Sequence, residues 1–240
     1  MTAIAVGSVR SGGATTVAMT LAAVLEDAVL VEADADGGVL ALRYGLSREP
    51  GLVSLAASRQ PPGDVVLDHA QRLPGGMAVV VGPESPERAT QLLRSAGHRI
   101  TDLLAGPCPV DLVVDLGRLS PSGPGTTLAA AAPLALVVAR PHAEELIAAA
   151  ERLASLGDGA ALVLVGSGPY SAGDVTTQLG CRVIGTVADD SRGARALAEG
   201  GSFRALARSA LVRSVRTLAA SLPLLNSPSR HRMERAEARP

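Results

Sequence analysis

Three short segments carry residue types that could do chemistry together. The first, Gly7-Ser-Val-Arg-Ser-Gly-Gly-Ala-Thr-Thr16, is a run of mostly small residues leading into an apolar stretch. Small residues let successive backbone N–H groups converge on the oxygens of an anion, and a helix starting there adds its dipole. Thr15 stands where a hydroxyl at a helix start can ligate Mg²⁺ beside a phosphate. The second segment, Glu32-Ala-Asp34-Ala-Asp36-Gly37, is a cluster of carboxylates. The third ends an apolar run with Asp115-Leu-Gly117, a pattern in which an aspartate can hold a Mg²⁺-bound water. Each signal alone is common. In this order, each after an aliphatic run, they point to one phosphate-and-magnesium site.

Such a site needs strands that end together. Aliphatic runs predict strands at Ala3–Val6, Ala28–Glu32, Met77–Val81, Leu112–Asp115, Leu134–Ala139, Ala161–Val165 and Arg182–Val187. They are continuous and not alternating, as in strands buried on both faces. Between them, helices are predicted at Thr15–Leu25, Pro86–Ala96, Ala143–Leu156, Ala172–Leu179 and Arg192–Glu199. The expected fold is therefore α/β: a single domain over residues 1–224, doubly wound, with a mainly parallel sheet and helices on both faces. Near its end, Leu211, Val215, Leu218 and Leu222 form one narrow helical stripe, the pattern of a helix docked on its own domain. Residues 225–240 are polar and Arg-rich and are expected to form a disordered tail.

Composition removes several function classes. With 240 residues and 47% hydrophobic content the chain has ample material for one α/β core. Its longest apolar run, Leu128–Ala139, is too short to span a bilayer and contains Pro133. No basic segment precedes a long apolar one, so no secretory signal is expected and the reading is cytoplasmic. Cys108 and Cys181 make neither a disulfide framework nor a four-ligand zinc site. His69, His98, His142 and His231 have no ligand-spaced companions, and no serine sits in a G-x-S-x-G elbow. All 22 basic residues are arginine, so no lysine chemistry of any kind is open to this chain. Charge is uneven: residues 191–240 hold 10 Arg against 3 Glu, and the rest of the chain is net acidic. That basic segment could meet DNA phosphates or anionic lipid, although without aromatic platforms the balance favours a solvated face. Glu32 at a strand end would also suit a ribose in a dinucleotide fold. Against that stand the missing G-x-G-x-x-G spacing, the Thr15-Thr16 pair and Asp115.

With these motifs in place, the sequence resembles the ParA/MinD group of P-loop ATPases, and within it the MinD-like proteins of high-GC bacteria related to the pilus-positioning CpaE/TadZ proteins. The resemblance spans roughly residues 1–222. It rests on the Ser8–Thr16 loop, Val-Glu-Ala-Asp-Ala-Asp-Gly-Gly, Val-Val-Asp-Leu-Gly, Val-Ala-Arg-Pro-His and Val-Ile-Gly-Thr-Val-Ala-Asp-Asp. It implies ATP or ADP with Mg²⁺ as ligands, a homodimer closed over nucleotide, and a protein partner that the dimer positions in the cell, at nucleoid or membrane. Residue by residue, it implies phosphate contacts at Ser11, Gly12, Gly13, Ala14, Thr15 and Thr16. Thr15, Glu32 and Asp115 would serve the metal, and Asp34 the attacking water. Adenine would lie against Gly166–Tyr170 and Ala188–Asp190, with Tyr170 and Asp190 as the candidate contacts. Tyr170 would otherwise pack on its own domain, and Asp190 would otherwise cap the next helix.

The loop departs from the family's K-G-G-x-G-K-T-T pattern. Ala14 stands at the phosphate lysine, and the second, signature lysine falls at Val9. Arg10 lies one residue later and is the candidate replacement. Charge on a transferring phosphoryl group is worth ~10³–10⁵ in rate, so these losses imply poor hydrolysis. Binding is less exposed, because backbone donors and Mg²⁺ remain. The expectation is weak to moderate nucleotide binding with slow turnover, or an adaptor that binds no nucleotide and keeps only the fold.

Overall fold

The structure, a computed structural model, describes residues 3–10, 12–25, 27–201 and 206–222. Strands β1 (Ala3–Ser8), β2 (Val29–Glu32), β3 (Gln71–Arg72), β4 (Ala78–Val80), β5 (Leu112–Arg118), β6 (Leu134–Ala139), β7 (Ala160–Val165) and β8 (Val183–Val187) form one sheet in the order β3-β4-β2-β5-β1-β6-β7-β8. Every neighbouring pair is parallel except β3–β4. β1 is central and the chain leaves it in both directions, to β5 on one side and β6 on the other. This is the doubly wound architecture, with its ligand-binding crevice at the strand C-termini where the order reverses.

Side-chain alternation divides the core in two. Ala3 and Ala5, Val29 and Val31, Leu112, Val114 and Leu116, and Ala135 and Val137 face one layer. There they meet α5 (Pro86–Ala105), α6 (Pro124–Ala131), α7 (Ala143–Leu156) and the short α3 (Leu52–Ala57) and α4 (Pro62–Val65). Ile4, Val6, Leu30, Val113, Leu134, Leu136 and Val138 face the other, with α1 (Ala14–Val24) and α10 (Ala210–Ser221). Burial on both faces is why these strands read as unbroken aliphatic runs. α2 (Leu40–Tyr44), α8 (Ala172–Leu179) and α9 (Ser191–Ala198) complete the helices among the described residues, with a 3₁₀ turn at Val66–His69.

All seven anticipated strands are present, and α7 and α8 match their expected limits. Leu211, Val215, Leu218 and Leu222 are buried against α1 and β8, so the terminal stripe docks on its own domain. The aliphatic and helical patterns do not anticipate α2, α3, α4 or α6, and two further elements differ from expectation. α5 continues nine residues past Ala96, through Gly97, because Ile100, Leu103 and Leu104 extend the buried stripe begun by Ala89 and Leu93. That burial outweighs the ~1 kcal/mol a mid-helix glycine costs. β3 is a two-residue polar edge strand, Gln71 and Arg72, and carries no apolar pattern to announce it. The expected tail, residues 225–240, lies outside the described residues, and His231 with it.

Candidate functional site at the carboxyl edge of the sheet

Register brings the three segments together. Val6 of β1 is opposite Asp115 of β5, and Asp115 is opposite Glu32 of β2. Strand alternation points Ser8, Glu32 and Asp115 to the same face as α1. The chain leaves β1 through Val9 and Arg10, turns with Gly12 N–H donating to the Arg10 carbonyl (2.7 Å), and enters α1 through Gly13. Gly13 is left-handed, with φ 83°, and no side chain caps the helix. The first turn of α1 contains no acid, so its free N–H groups and dipole are unopposed. Gly12 lies hard against β6: a Cβ there would be 3.0 Å from the Val138 carbonyl oxygen. Ala14 is buried at the first position of α1, Thr15 and Thr16 are partly exposed, and Arg10 is exposed. Ser11 lies outside the described residues.

Asp115 is 1% exposed. Its Oδ1 accepts the Gly117 N–H at 3.0 Å, whereas Oδ2 is buried without a hydrogen-bond partner. Burial pushes its carboxyl up to about 7. The Thr15 hydroxyl and the Gly117 amide oppose that shift, and the Asp34 and Glu32 charges add to it. A buried carboxylate oxygen with no donor, near Thr15 in the first turn of α1, fits a cation or its bound water. Among the described residues no group of three or more His, Cys, Asp or Glu is placed to hold a metal unaided. Mg²⁺ commonly binds through one or two protein groups plus phosphate oxygens and water, so the Thr15–Asp115 pair fits that ion.

Glu32 is equally buried but differently employed. Its Oε1 accepts the Val39 and Leu40 N–H groups at 2.6 and 3.0 Å, and Oε2 accepts Gly82 N–H at 2.9 Å. It thereby caps the uncapped start of α2 and ties the end of β4 to β2. Gly38 permits the approach, since a Cβ there would fall 2.4 Å from Oε2. Burial raises its carboxyl above the ordinary range, while the three amides pull it back. The resemblance implies Glu32 at the metal; in the structure its oxygens hold backbone amides.

Asp34 is partly buried, and this raises its carboxyl. Its Oδ1 accepts Asp36 N–H at 2.8 Å in a local turn. The carboxylate sits directly over Gly117: a Cβ at Gly117, where φ is +57°, would lie 1.9 Å from the Asp34 carboxyl carbon. The neighbouring Arg118 bonds Asp36 Oδ2 through Nε (3.0 Å) and Nη2 (2.6 Å). The loop after β2 is thus clasped to the end of β5, an ion pair that spacing alone does not announce.

The adenine-side candidates are placed apart from this cluster. Asp190 accepts Gly193 N–H at 2.9 Å and Leu211 N–H at 3.3 Å, capping α9 and reaching the start of α10. These amide bonds lower its carboxyl. Tyr170 lines a small cleft between α7 and α8 with Leu146, Ile147 and Leu179, packed on its own domain. His69 accepts or donates to Ser54 Oγ at 2.8 Å, a local structural contact. A roomier cleft of about 1010 Å³ opens beside the end of β4, lined by Arg48, Val53, Gly82, Glu84 and Arg88, away from the glycine loop.

No protein-family model matches the chain, and no curated protein does. Solved structures do. A ParA-family ATPase from Chlorobium tepidum superposes with a TM-score of 0.73 at 16% identity, covering 92% of this chain and 99% of that one. The Pyrococcus horikoshii septum site-determining protein MinD in complex with Mg-ADP gives 0.70 at 17%, covering 93% and 96%. A Cyanothece McdA–ATP complex gives 0.65 at 17%, covering 92% and 96%. At such identities the likeness speaks for architecture: the chain has the α/β P-loop NTPase-like fold seen in ParA and MinD ATPases.

Proposed function

We propose that this chain is a ParA/MinD-like, nucleotide-responsive positioning protein that binds ATP or ADP with Mg²⁺ weakly to moderately and turns ATP over slowly. The observation that carries this is the pairing of an uncapped, acid-free N-terminus of α1 with the buried, unpartnered Oδ2 of Asp115 beside Thr15. An orphaned buried carboxylate oxygen costs stability unless something arrives to use it. Backbone donors from Gly12 through Thr16, with Ser11 by sequence position, would hold the phosphates. Thr15 and Asp115 would hold Mg²⁺ or its water, and the ion would supply charge neutralisation on the phosphates. Glu32 would keep the loop after β2 in place, leaving Asp34 free to orient a water. Arg10 is the candidate cation for the transferring phosphate. Tyr170 and Asp190 retain only their position on the loops after β7 and β8 as support for an adenine contact.

Support for the positioning role comes from the shared fold alone. The neighbours include a MinC:MinD cell division complex from Aquifex aeolicus and a plasmid partition protein of Borrelia burgdorferi bound to AMPPNP. On this reading the chain dimerises across its nucleotide face and places a protein partner. The CpaE/TadZ branch and a cytoplasmic site of action belong to the same proposal. No helix among the described residues is long and apolar enough to cross a membrane. For DNA or anionic lipid, the structure adds only that Arg192, Arg195, Arg208, Arg213 and Arg216 are exposed.

Titration calorimetry with ATP and ADP, with and without Mg²⁺, alongside phosphate release, tests the reading. Mg²⁺-dependent binding with slow turnover is expected. Turnover at the rates of a partner-stimulated ParA-type enzyme would overturn the slow-ATPase assignment. Absence of binding would replace it with the adaptor that keeps only the fold.

A further inference from the structure

The crevice is short of fixed positive charge, and every cation available to it is an arginine, since the chain has no lysine. Three arginines lie on the strands that frame the glycine loop or just beyond them: Arg10 after β1, Arg118 at the end of β5 and Arg140 after β6. Arg118 is engaged by Asp36. Arg10 and Arg140 are exposed, and neither side chain has an ion pair or hydrogen bond among the described residues.

Arg140 is placed by register. Val138 of β6 is opposite Ser8 of β1, so β6 runs out beside the loop that begins at Val9. Leu134, Leu136 and Val138 face the α1 layer, and Arg140 is the next residue of that parity. Gly12 rests on the Val138 carbonyl, with a virtual Cβ–oxygen distance of 3.0 Å. The loop therefore crosses β6 two residues before Arg140, ~7 Å along the strand, within reach of an extended guanidinium. The root of the side chain is pinned. Arg140 N–H donates to Glu145 Oε2 at 2.9 Å, its carbonyl accepts His142 N–H at 2.8 Å, and Pro141 stiffens the turn. One oxygen of Glu145 takes that amide, and the guanidinium itself has no ion pair or hydrogen bond among the described residues.

We infer that Arg140 is a phosphate-binding residue of this crevice, presenting its guanidinium from β6 to the polyphosphate of the nucleotide opposite the backbone donors of the loop. This rests on the nucleotide reading above and deepens it. A planar guanidinium pairs two phosphate oxygens at once and stays charged at any working pH. The contact neutralises charge without needing the residue at the Ala14 position.

Calorimetric titration of the full chain with ATP in the presence of Mg²⁺ tests this, comparing the wild type with Arg140→Ala and Arg140→Lys. Arg140→Ala should weaken ATP ~10-fold or more, the worth of one charge-assisted hydrogen bond. Arg140→Lys should recover part of the loss, and the gap between wild type and Arg140→Ala should narrow as salt rises. Circular dichroism melts should coincide, because the side chain is exposed. Unchanged ATP affinity in Arg140→Ala, with wild-type binding intact, would overturn this assignment alone. A loss that lysine does not relieve and salt does not narrow would do the same. A wild-type chain that binds no ATP would overturn both readings.

Discussion

Glu32 and Asp115 sit directly opposite each other on neighbouring parallel strands, at the same edge of the sheet, each 1% exposed. Burial raises both carboxyls, yet their hydrogen bonding differs. Around Glu32 the chain has gathered three amides from two separate segments, with Gly38 close enough to crowd a carboxylate oxygen. Around Asp115 it supplies one amide, to Oδ1, leaving Oδ2 bare, although the Thr15 hydroxyl is near enough to oppose the upward shift. A buried carboxylate surrounded by donors can serve as a structural brace; one short of donors is costly to ionise, and burial accordingly pushes Asp115 up to about 7. Two acids that look interchangeable in the sequence thus differ in the fold, one holding three backbone amides and one keeping an oxygen without a hydrogen-bond partner.

The sharpest way to break that contrast is to remove the brace. Glu32→Ala strands three amides at once and should cost on the order of 4 kcal/mol in urea denaturation, with α2 loosened first. Glu32→Gln keeps one acceptor and should fall between. A Glu32→Ala protein as stable as wild type would mean the amides find other acceptors and the brace is dispensable.

Asp115→Asn should move stability the other way, and only at the right pH. The folded-state carboxyl is raised to about 7 from an unfolded value near 3.8, so the folded state holds its proton longer. Wild-type stability should therefore fall as pH rises from about 4 to about 7, then level off. The asparagine variant should match wild type near pH 4 and exceed it at pH 8, by at most ~4 kcal/mol. It should also lose the Mg²⁺ dependence of nucleotide binding. Melts at the two pH values decide it; a gain that is equal at both would mean the charge is not the source.

Gly117→Ala should cost ~2 kcal/mol, since alanine is strained at φ +57° and its methyl displaces the Asp34 carboxylate. Asp34→Ala in the same chain should recover the part due to displacement. The smallest effect belongs to the exposed clasp. Arg118→Ala should leave the melting temperature unchanged, because both partners are largely solvated. A clear drop there would show that the clasp, and not Glu32, orders the loop after β2.

The strands and longer helices were legible because burial on both sheet faces writes itself as aliphatic runs, and helical amphipathicity as a 3.6-residue period. That the glycine loop, Thr15 and Asp115 would meet at one sheet edge was legible for a similar reason: each follows an aliphatic run that reads as a strand, and parallel strands bring such ends together. Capping was half legible. The Asp190 cap on α9 follows from its position, but its bond to Leu211 does not. What stayed hidden depends on segments distant in sequence. The amides that claim Glu32 come from residues 39, 40 and 82; Asp36 meets Arg118 across two strands; Gly12 of the loop meets the Val138 carbonyl only because β6 lies beside β1. The sequence by itself determined which residue types stand at the carboxyl edge of the sheet, because each closes or follows an aliphatic strand. Only the tertiary structure decided which carboxylate is a brace and which is bare, because hydrogen-bond satisfaction of a buried group depends on the donors that folding brings to it.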